Sequence, residues 1–459
     1  MTDLAPLDSD TIAAIATAPG RGGVGIIRVS GPLAPHVGRQ IARQDLTPRH
    51  AHFSGLHNAS GQPIDEGLVL LFAGPHSFTG EDIVEFQAHG GPVILDMLLQ
   101  RCCELGARPA RPGEFSERAF LNGKIDLSQA EAIADLINST TEQAALNASA
   151  SLQGAFSQRI NELVTAVTEL RVYVEAAIDF PEEEIDFIKE GAVSERLDAI
   201  VDRLESVYGE AKQGALYQEG MKLVIAGAPN AGKSSLLNAL AGQNTAIVTP
   251  IQGTTRDLLR EHIQIEGMPL HIVDTAGLRN SDDPIEQEGI RRAREEMTSA
   301  DRILLVIDDA TSKDEVSIDR LLIDSEYTLP NEVPITIVRN KCDLSGMTPG
   351  LKLDEARDVV YLSAATGAGL VDLKQHLLVS MGYNQNTEGK FSARRRHWQA
   401  LEKARECLEE GRLQLAGTGA GELLAEDLRR CQNHLGTITG NVSSDDLLGE
   451  IFSSFCIGK

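Results

Sequence analysis

Positive charge is scarce in this chain. Lys and Arg total 42 against 67 Asp and Glu, a formal net charge of −25 over 459 residues. Phosphate contacts need clustered Lys and Arg, so the chain is a poor candidate for gripping nucleic acid by itself, although a partner could do so. Long apolar runs are also missing: none reaches the ~18 residues that a membrane-spanning helix needs. The start, Met1–Asp10, carries Asp3, Asp8 and Asp10 and no Lys or Arg. A secretory leader has a basic start and an apolar run, so the sequence predicts a cytoplasmic protein with no membrane association. The six cysteines, Cys102, Cys103, Cys342, Cys407, Cys431 and Cys456, show no CxxC spacing. Neither a zinc site nor a disulfide framework is indicated, and most are expected to be buried, reduced thiols. No internal repeat is present.

What the chain does have is the substance of a globular protein. Apolar residues make up 42% and charged residues 24%, near the globular average. The length predicts two to four domains. Residues 1 to about 120 mix short β-rich runs (Val24–Val29, Gly67–Phe72, Ile83–Gln87) with Gly and Pro punctuation, which reads as an α+β domain. From about 125 the pattern turns helical. Asp126 with Gln129 has the form of a capping box, and Ala130, Ile133, Ala134 and Ile137 repeat at helical spacing. Pro181-Glu182-Glu183-Glu184 reads as the start of another helix. From about 216 to 382, short apolar strands alternate with helical segments: Met221–Ala226, Leu270–Val273, Arg302–Asp308, Pro334–Arg339 and Val359–Leu362. That alternation predicts a parallel α/β sheet. A polar stretch with Arg394-Arg395-Arg396 follows. Helical periodicity then resumes, with Leu424, Leu428, Cys431 and Leu435 on one stripe. Helical sequence on both sides of the α/β stretch predicts an insertion. The expected division is 1–122 (α+β), 123–215 (helical, first part), 216–382 (α/β) and 383–459 (helical, second part).

The α/β stretch carries the chemistry. Gly227-Ala-Pro-Asn-Ala-Gly-Lys233-Ser234 follows a predicted strand and precedes a predicted helix, Ser235–Leu240. It matches the phosphate-binding P-loop. Backbone N–H groups from Asn230 to Ser235, Ala231 and Gly232 included, and the helix N-terminus face the anion. Lys233 supplies charge to the β- and γ-phosphates and Ser234 a hydroxyl to Mg²⁺. Asp274-Thr275-Ala276-Gly277 ends the next strand. Asp274 is placed to organise Mg²⁺ through its water shell, and Gly277 to donate its N–H to the γ-phosphate. Asn340-Lys341-Cys342-Asp343 follows a later strand. Asp343 is suited to accept from guanine N1–H and the 2-amino group, a donor pair that adenine lacks. Ser363-Ala364-Ala365 follows the next strand and offers backbone N–H groups for guanine O6. The order and strand-end placement of these motifs point to a GTPase, because open α/β sheets bind ligands at that edge. Gly253-Thr254-Thr255-Arg256-Asp257 lies where the first switch belongs, and Thr255 would complete the Mg²⁺ shell.

Leu278 follows Gly277, where many GTPases carry a water-orienting Gln. Leu cannot orient water. Either hydrolysis is slow, or the function comes from elsewhere, with Glu286 and a cation held near Asn230 and the loop before Gly253 as candidates.

These motifs, with Ala18–Arg28, Ser77–Asp82, Arg111–Arg118 and the C-terminal Phe455-Cys-Ile-Gly-Lys459, resemble the MnmE (TrmE) family of tRNA-modification GTPases over essentially the whole chain. The resemblance implies a multidomain fold: an N-terminal α+β domain similar to tetrahydrofolate-binding domains, a discontinuous helical domain and an inserted Ras-like GTPase domain. It implies binding of 5-formyltetrahydrofolate or a related tetrahydrofolate by Arg28, Glu85, Lys124 and Lys459. It implies K⁺ held by Asn230, Thr249, Ile251 and Thr254 in place of an arginine finger, with Thr249 also lining the nucleotide and Glu286 positioning water. It also implies a homodimer through the N-terminal domain, GTPase domains that meet across their nucleotide faces, and a heterotetramer with the FAD- and NADH-using protein MnmG (GidA). The implied reaction modifies C5 of the wobble uridine (U34), adding aminomethyl or carboxymethylaminomethyl groups. The role of Cys456 stays open. Two competing readings are a GTP-gated ribosome-assembly factor, which usually carries a basic RNA-binding module, and a nucleotide-gated scaffold without chemistry.

Overall fold

The computed structural model describes residues 10–179, 193–228, 230–242, 260–274, 297–311, 333–353, 358–382, 391–418, 421–442 and 445–458. Two compact units emerge. The first comprises Met1–Ala134, Leu152–Ile188 and Leu413–Lys459, and the second Asp135–Ser151 and Lys189–Arg412.

The first unit is built on six strands: β1 (Ile12–Ile15), β2 (Gly22–Ser30), β3 (His52–His57), β4 (Pro63–Phe72), β5 (Ile83–Gly90) and β6 (Arg108–Pro109). Their order is β3-β4-β5-β2-β1-β6. All neighbours are antiparallel except β1 and β6. Alternation along β2 and β5 sends Ile27, Val29, Val84 and Phe86 into the core, the period of two that a one-sided sheet requires. Helices α1 (Ala34–Ala42) and α2 (Pro92–Glu104) supply Val37, Ile41 and Leu98 to the same core. Helix α3 (Glu114–Leu121) follows, then α4 (Leu127–Asn138), whose last residues from Asp135 fall in the second unit together with α5 (Glu142–Leu152), and then α6 (Ala155–Asp179) of the first.

The capping box forms as expected. Gln129 N–H donates to Asp126 Oδ1 at 2.9 Å, and Asp126 N–H to Gln129 Oε1 at 3.0 Å. The stripe expected on α4 is corrected: Ala130 is buried, but Ile137 is 43% exposed. The buried face instead takes Glu131 and Asp135. Asp135 is held there by Arg394 Nη2 at 2.7 Å and Ser392 Oγ at 2.8 Å, which compensates for the loss of water. Arg394 is therefore tied down internally rather than being a free member of the basic triplet.

The second unit holds a seven-stranded sheet: β7 (Met221–Ala226), β8 (Arg260–Ile265), β9 (Met268–Asp274), β10 (Arg302–Asp308), β11 (Ile335–Asn340), β12 (Gly350–Leu353) and β13 (Asp358–Tyr361), in the order β12-β13-β11-β10-β7-β9-β8. The five central strands are parallel and both edge strands antiparallel. Each strand predicted here is present, and β8 and β12 are additions. Helix α7 (Val193–Glu219) runs into β7 through Gly220, at φ 67°, where a Cβ would lie 2.3 Å from the Pro269 carbonyl oxygen. Helices α8 (Lys233–Ala241), α9 (Cys342–Ser345), α10 (Leu370–Ser380) and α11 (Arg395–Thr418) follow in the chain.

Returning to the first unit, α12 (Gly421–Thr439) buries Leu424, Leu428, Cys431 and Leu435, the predicted stripe, and packs against α6. Helix α13 (Asp445–Ser453) leads into the C-terminal tail. Among the described residues no helix is long and apolar enough to cross a membrane, and no group of three or more His, Cys, Asp or Glu is placed to hold a metal ion. None of the six cysteines is in a disulfide, and Cys102, Cys342, Cys407 and Cys431 are buried. Burial pushes the Cys102, Cys103 and Cys342 thiols up, which suits inert thiols.

Candidate functional site

Parallel strands bring their C-terminal ends to one edge, so the described segments that follow β7, β10, β11 and β13 converge there. The P-loop leaves β7 at Gly227, at φ 145°, where a Cβ would sit 2.2 Å from the Val306 carbonyl oxygen. Gly232, at φ 95°, caps α8, and a Cβ there would meet Asn340 Nδ2 at 2.2 Å. Both positions therefore require glycine for conformation and for space. Lys233 opens α8 and turns back over the loop, with Nζ 2.8 Å from the Gly227 carbonyl oxygen and 3.0 Å from that of Ala228. Ser234 and Ser235 are exposed in the first helical turn.

Asn340 braces three segments. Its Nδ2 donates to the Ala231 carbonyl oxygen at 3.0 Å, and its Oδ1 accepts from Lys341 N–H at 2.9 Å and Ala364 N–H at 3.0 Å. Lys341 adds a second link, from Nζ to the Asn230 carbonyl oxygen at 3.0 Å. Lys341 and Asn230 both adopt left-handed backbone, at φ 67° and 64°, conformations that cost energy for residues with a Cβ. Asp343 sits exposed in the first turn of α9, and Ser363 is buried at the start of the loop after β13. Ala365 follows in that loop. Asp274 is the last residue of β9, paired in register with Ile225.

The structure thus brings together Asn230, Ala231, Gly232, Lys233, Asn340, Lys341 and Ala364. Thr249, Ile251, Thr254, Thr255, Thr275, Ala276, Gly277, Leu278, Glu286 and Lys459 lie outside the described residues, as does the expected helix start at Pro181–Glu184.

A second polar site lies on the N-terminal sheet. Arg28 on β2 and Glu85 on β5 are register partners, and Arg28 Nε donates to Glu85 Oε1 at 2.8 Å. The guanidinium stands 5.7 Å from the Phe78 ring centre and 5.8 Å from that of Phe115. The C-terminal tail reaches it: Arg28 Nη1 lies 3.5 Å from the Gly458 carbonyl oxygen. Gly458 is at φ 93° with no room for a Cβ, which would fall 2.4 Å from the Ile15 carbonyl oxygen. Lys124 Nζ donates to the Pro75 carbonyl oxygen at 2.9 Å.

Beside this site runs a network of ion pairs. Buried Arg118 donates to Glu81 Oε1 at 3.1 Å, to Asp10 Oδ1 at 2.8 Å and to Glu114 Oε1 at 3.1 Å. Arg108 Nη2 reaches Glu114 Oε1 at 2.6 Å, and Ser30 Oγ reaches Glu81 Oε2 at 2.7 Å. Burial alone would push the Glu114 carboxyl up. The hydrogen bonds from Arg108, the Arg111 N–H and Arg118 outweigh it and hold the pKa down at about 2.

Comparison with known proteins matches residues 11–124 to "GTP-binding protein TrmE N-terminus" and residues 127–456 to "MnmE helical domain". The tRNA modification GTPase MnmE of Marinobacter nauticus is 58% identical over 98% of this chain and 99% of its own. The chain belongs to the MnmE (TrmE) family. The protein of the same name from Vibrio cholerae serotype O1 is 58% identical over 99% of this chain and 100% of its own. A solved structure, the G domain of the T. maritima FeoB iron transporter, is 25% identical over 35% of this chain and 98% of that one, at a TM-score of 0.25. The fold of the inserted unit rests on its own strand order and P-loop, not on that likeness.

As a member of the MnmE family the chain is a P-loop GTPase, and GTP with Mg²⁺ are the species its nucleotide site must accommodate. The described residues fit them: a loop with glycine at both ends where a Cβ would clash, an ammonium folded over it and a hydroxyl in the first turn of α8. Lys233 would neutralise charge on the β- and γ-phosphates, Ser234 would ligate the metal, and Asn340 and Lys341 fix the loop after β11 to the P-loop. The motifs that resemble this family in the N-terminal unit, Ser77–Asp82 and Arg111–Arg118, prove to contain Glu81, Glu114 and Arg118 of the ion-pair network. Asp10 and Arg108, which complete it, and Asp308, which contacts Lys341, carry no motif in the sequence.

Proposed function

We propose that this chain is the GTP-hydrolysing component of a complex that modifies C5 of the wobble uridine in certain tRNAs. The complex installs aminomethyl or carboxymethylaminomethyl groups with a one-carbon unit from 5-formyltetrahydrofolate or a related tetrahydrofolate. The observation that carries this reading is the end-to-end likeness to relatives named for tRNA modification and GTP hydrolysis. A nucleotide edge with Asn340 and Lys341 bound to the P-loop supports it.

In this reading the domains run 1–122, 123–215 with 383–459, and 216–382. The chain is a homodimer that joins MnmG (GidA) in a heterotetramer in the cytoplasm. At a net charge of −25 it meets tRNA mainly through that partner. Arg28, Glu85, Lys124 and Lys459 hold the folate. Asn230, Thr249, Ile251 and Thr254 hold K⁺, Ser234 and Thr255 hold Mg²⁺, and Glu286 aligns water. Asp343 reads guanine.

Mass spectrometry of bulk tRNA nucleosides from a deletion strain tests the reading. The wobble-uridine modification should disappear and return with the wild-type gene but not with Lys233→Ala. Unchanged tRNA accompanied by unprocessed rRNA would transfer the protein to ribosome assembly.

A further inference from the structure

Asp308 is the last residue of β10 and belongs to none of the nucleotide motifs. Its carboxylate is fixed at both oxygens. Oδ1 accepts the Ala310 N–H at 3.0 Å, and Oδ2 accepts Lys341 Nζ at 2.6 Å. The same Nζ donates to the Asn230 carbonyl oxygen at 3.0 Å. One ammonium therefore ties the end of β10, the P-loop and the base-reading loop together. We propose that Asp308 is a positioning residue for guanine-nucleotide binding, acting through Lys341, whose ammonium it holds between β10 and the P-loop.

The physical argument runs through what Lys341 would do without it. A lysine ammonium sits on a flexible stem with several rotatable bonds, and fixing it costs side-chain entropy. The Asn230 carbonyl alone is a neutral acceptor. The carboxylate adds a charge-assisted hydrogen bond, which is the stronger kind. Asn230 and Lys341 are also the two non-glycine residues, among those described at this edge, that hold left-handed backbone. Their shared hydrogen bond is what keeps both strained segments in register. Asp308 orients the ammonium that makes it. Asn340 braces the same loops by a separate route, through Ala231 and Ala364. Loss of Asp308 should therefore loosen nucleotide binding without changing which base is read.

The inference rests on the reading of Asn340–Asp343 as the guanine reader, and the two fail separately. Asp343→Asn should shift preference from GTP toward XTP, and an unchanged preference would remove the guanine reader. Asp308→Asn keeps an acceptor for the Ala310 N–H and removes the charge pair. Measured with fluorescent GDP and GTP analogues on the full chain, it should raise both dissociation constants roughly tenfold, the scale of one lost charge-assisted hydrogen bond. The rate at saturating GTP should stay within about twofold, and the ratio of GTP to XTP affinity should not move. In a Lys341→Ala background the Asp308→Asn effect should vanish. Asp308→Ser, which retains a cap for the same N–H, should reproduce the result if Asn proves poorly folded. Unchanged dissociation constants, or a tenfold effect that persists without Lys341, would overturn the proposal.

Discussion

Glu114 shows how much a single buried residue is asked to do. Its side chain is 1% exposed and accepts from Arg108 at 2.6 and 2.8 Å, from Arg118 at 3.1 Å and from the Arg111 N–H at 2.8 Å. Its pKa in the folded chain is about 2, against an ordinary 4.5. The folded value is depressed, so the stabilisation is fully present above pH 4.5 and is lost as pH falls from there toward 2. A depression of this size corresponds to a contribution on the order of 3 kcal/mol at neutral pH. Chemical denaturation from pH 7 to pH 3 should therefore show the wild type losing stability more steeply than Glu114→Gln. That variant should already be destabilised by about 1–3 kcal/mol at pH 7, because it removes one counter-charge of buried Arg118 and of half-buried Arg108. Parallel pH curves for the two proteins would assign the acid sensitivity to other carboxylates. In sequence, Glu114 was visible only as part of Arg111–Arg118. Asp10, which shares Arg108 and Arg118 with it, is far from it in sequence, and convergence of that kind is set by the sheet.

At the scale of elements, the strands that read clearly were those buried on both faces. Met221–Ala226 and Arg302–Asp308 are runs of Val, Ile and Leu, and they match β7 and β10 in extent. The edge strands read poorly for a physical reason. Arg260-Glu-His-Ile-Gln-Ile265 carries only two apolar residues, Ile263 and Ile265, both buried, and Gly350–Leu353 has four residues. The turn between β8 and β9, Glu266-Gly267 with φ 51° and 78°, has the hairpin form with both central residues left-handed. Glu at the first position is a weaker cue than Asn or Asp. The C-terminal tail was legible as a motif but not as a structural element. Ile457 bridges Pro112, and Gly458 fits only without a Cβ. Gly458→Ala should lift the tail away from Ile15 and Arg28. Under the folate reading, calorimetry with 5-formyltetrahydrofolate should show affinity reduced roughly tenfold, the scale of a displaced, strained segment. GTP binding in the other unit should be unchanged. Equal folate affinity would remove the tail from that site.

At the scale of the whole molecule, the question is how a GTPase with Leu278 hydrolyses GTP at all. The P-loop, Gly227 to Ser234, contains no arginine, and the position that often carries a water-orienting Gln holds an aliphatic side chain. Charge that develops in phosphoryl transfer still needs neutralising, and an arginine finger is typically worth ~10³–10⁵ in rate. A monovalent cation in that place needs fixed oxygen ligands. Asn230 lies in the loop where one is wanted, and its backbone is pinned by Lys341 at 3.0 Å. The remaining ligands in the proposed set, Thr249, Ile251 and Thr254, belong to one segment. If those ligands meet the cation only when two GTPase domains face each other, the cation site would exist only in the dimer, and hydrolysis would be coupled to assembly. Glu286 would then align water, directly or through a second water. Potassium should accelerate steady-state hydrolysis far more than sodium at equal ionic strength. Asn230→Ala should abolish the difference while nucleotide binding persists, because the Lys341 contact is to the backbone carbonyl and survives the substitution. Glu286→Ala should slow turnover even in potassium. Equal wild-type rates in the two salts would remove the cation from the mechanism and turn attention to an arginine, with Arg256 and Arg279 the first to substitute.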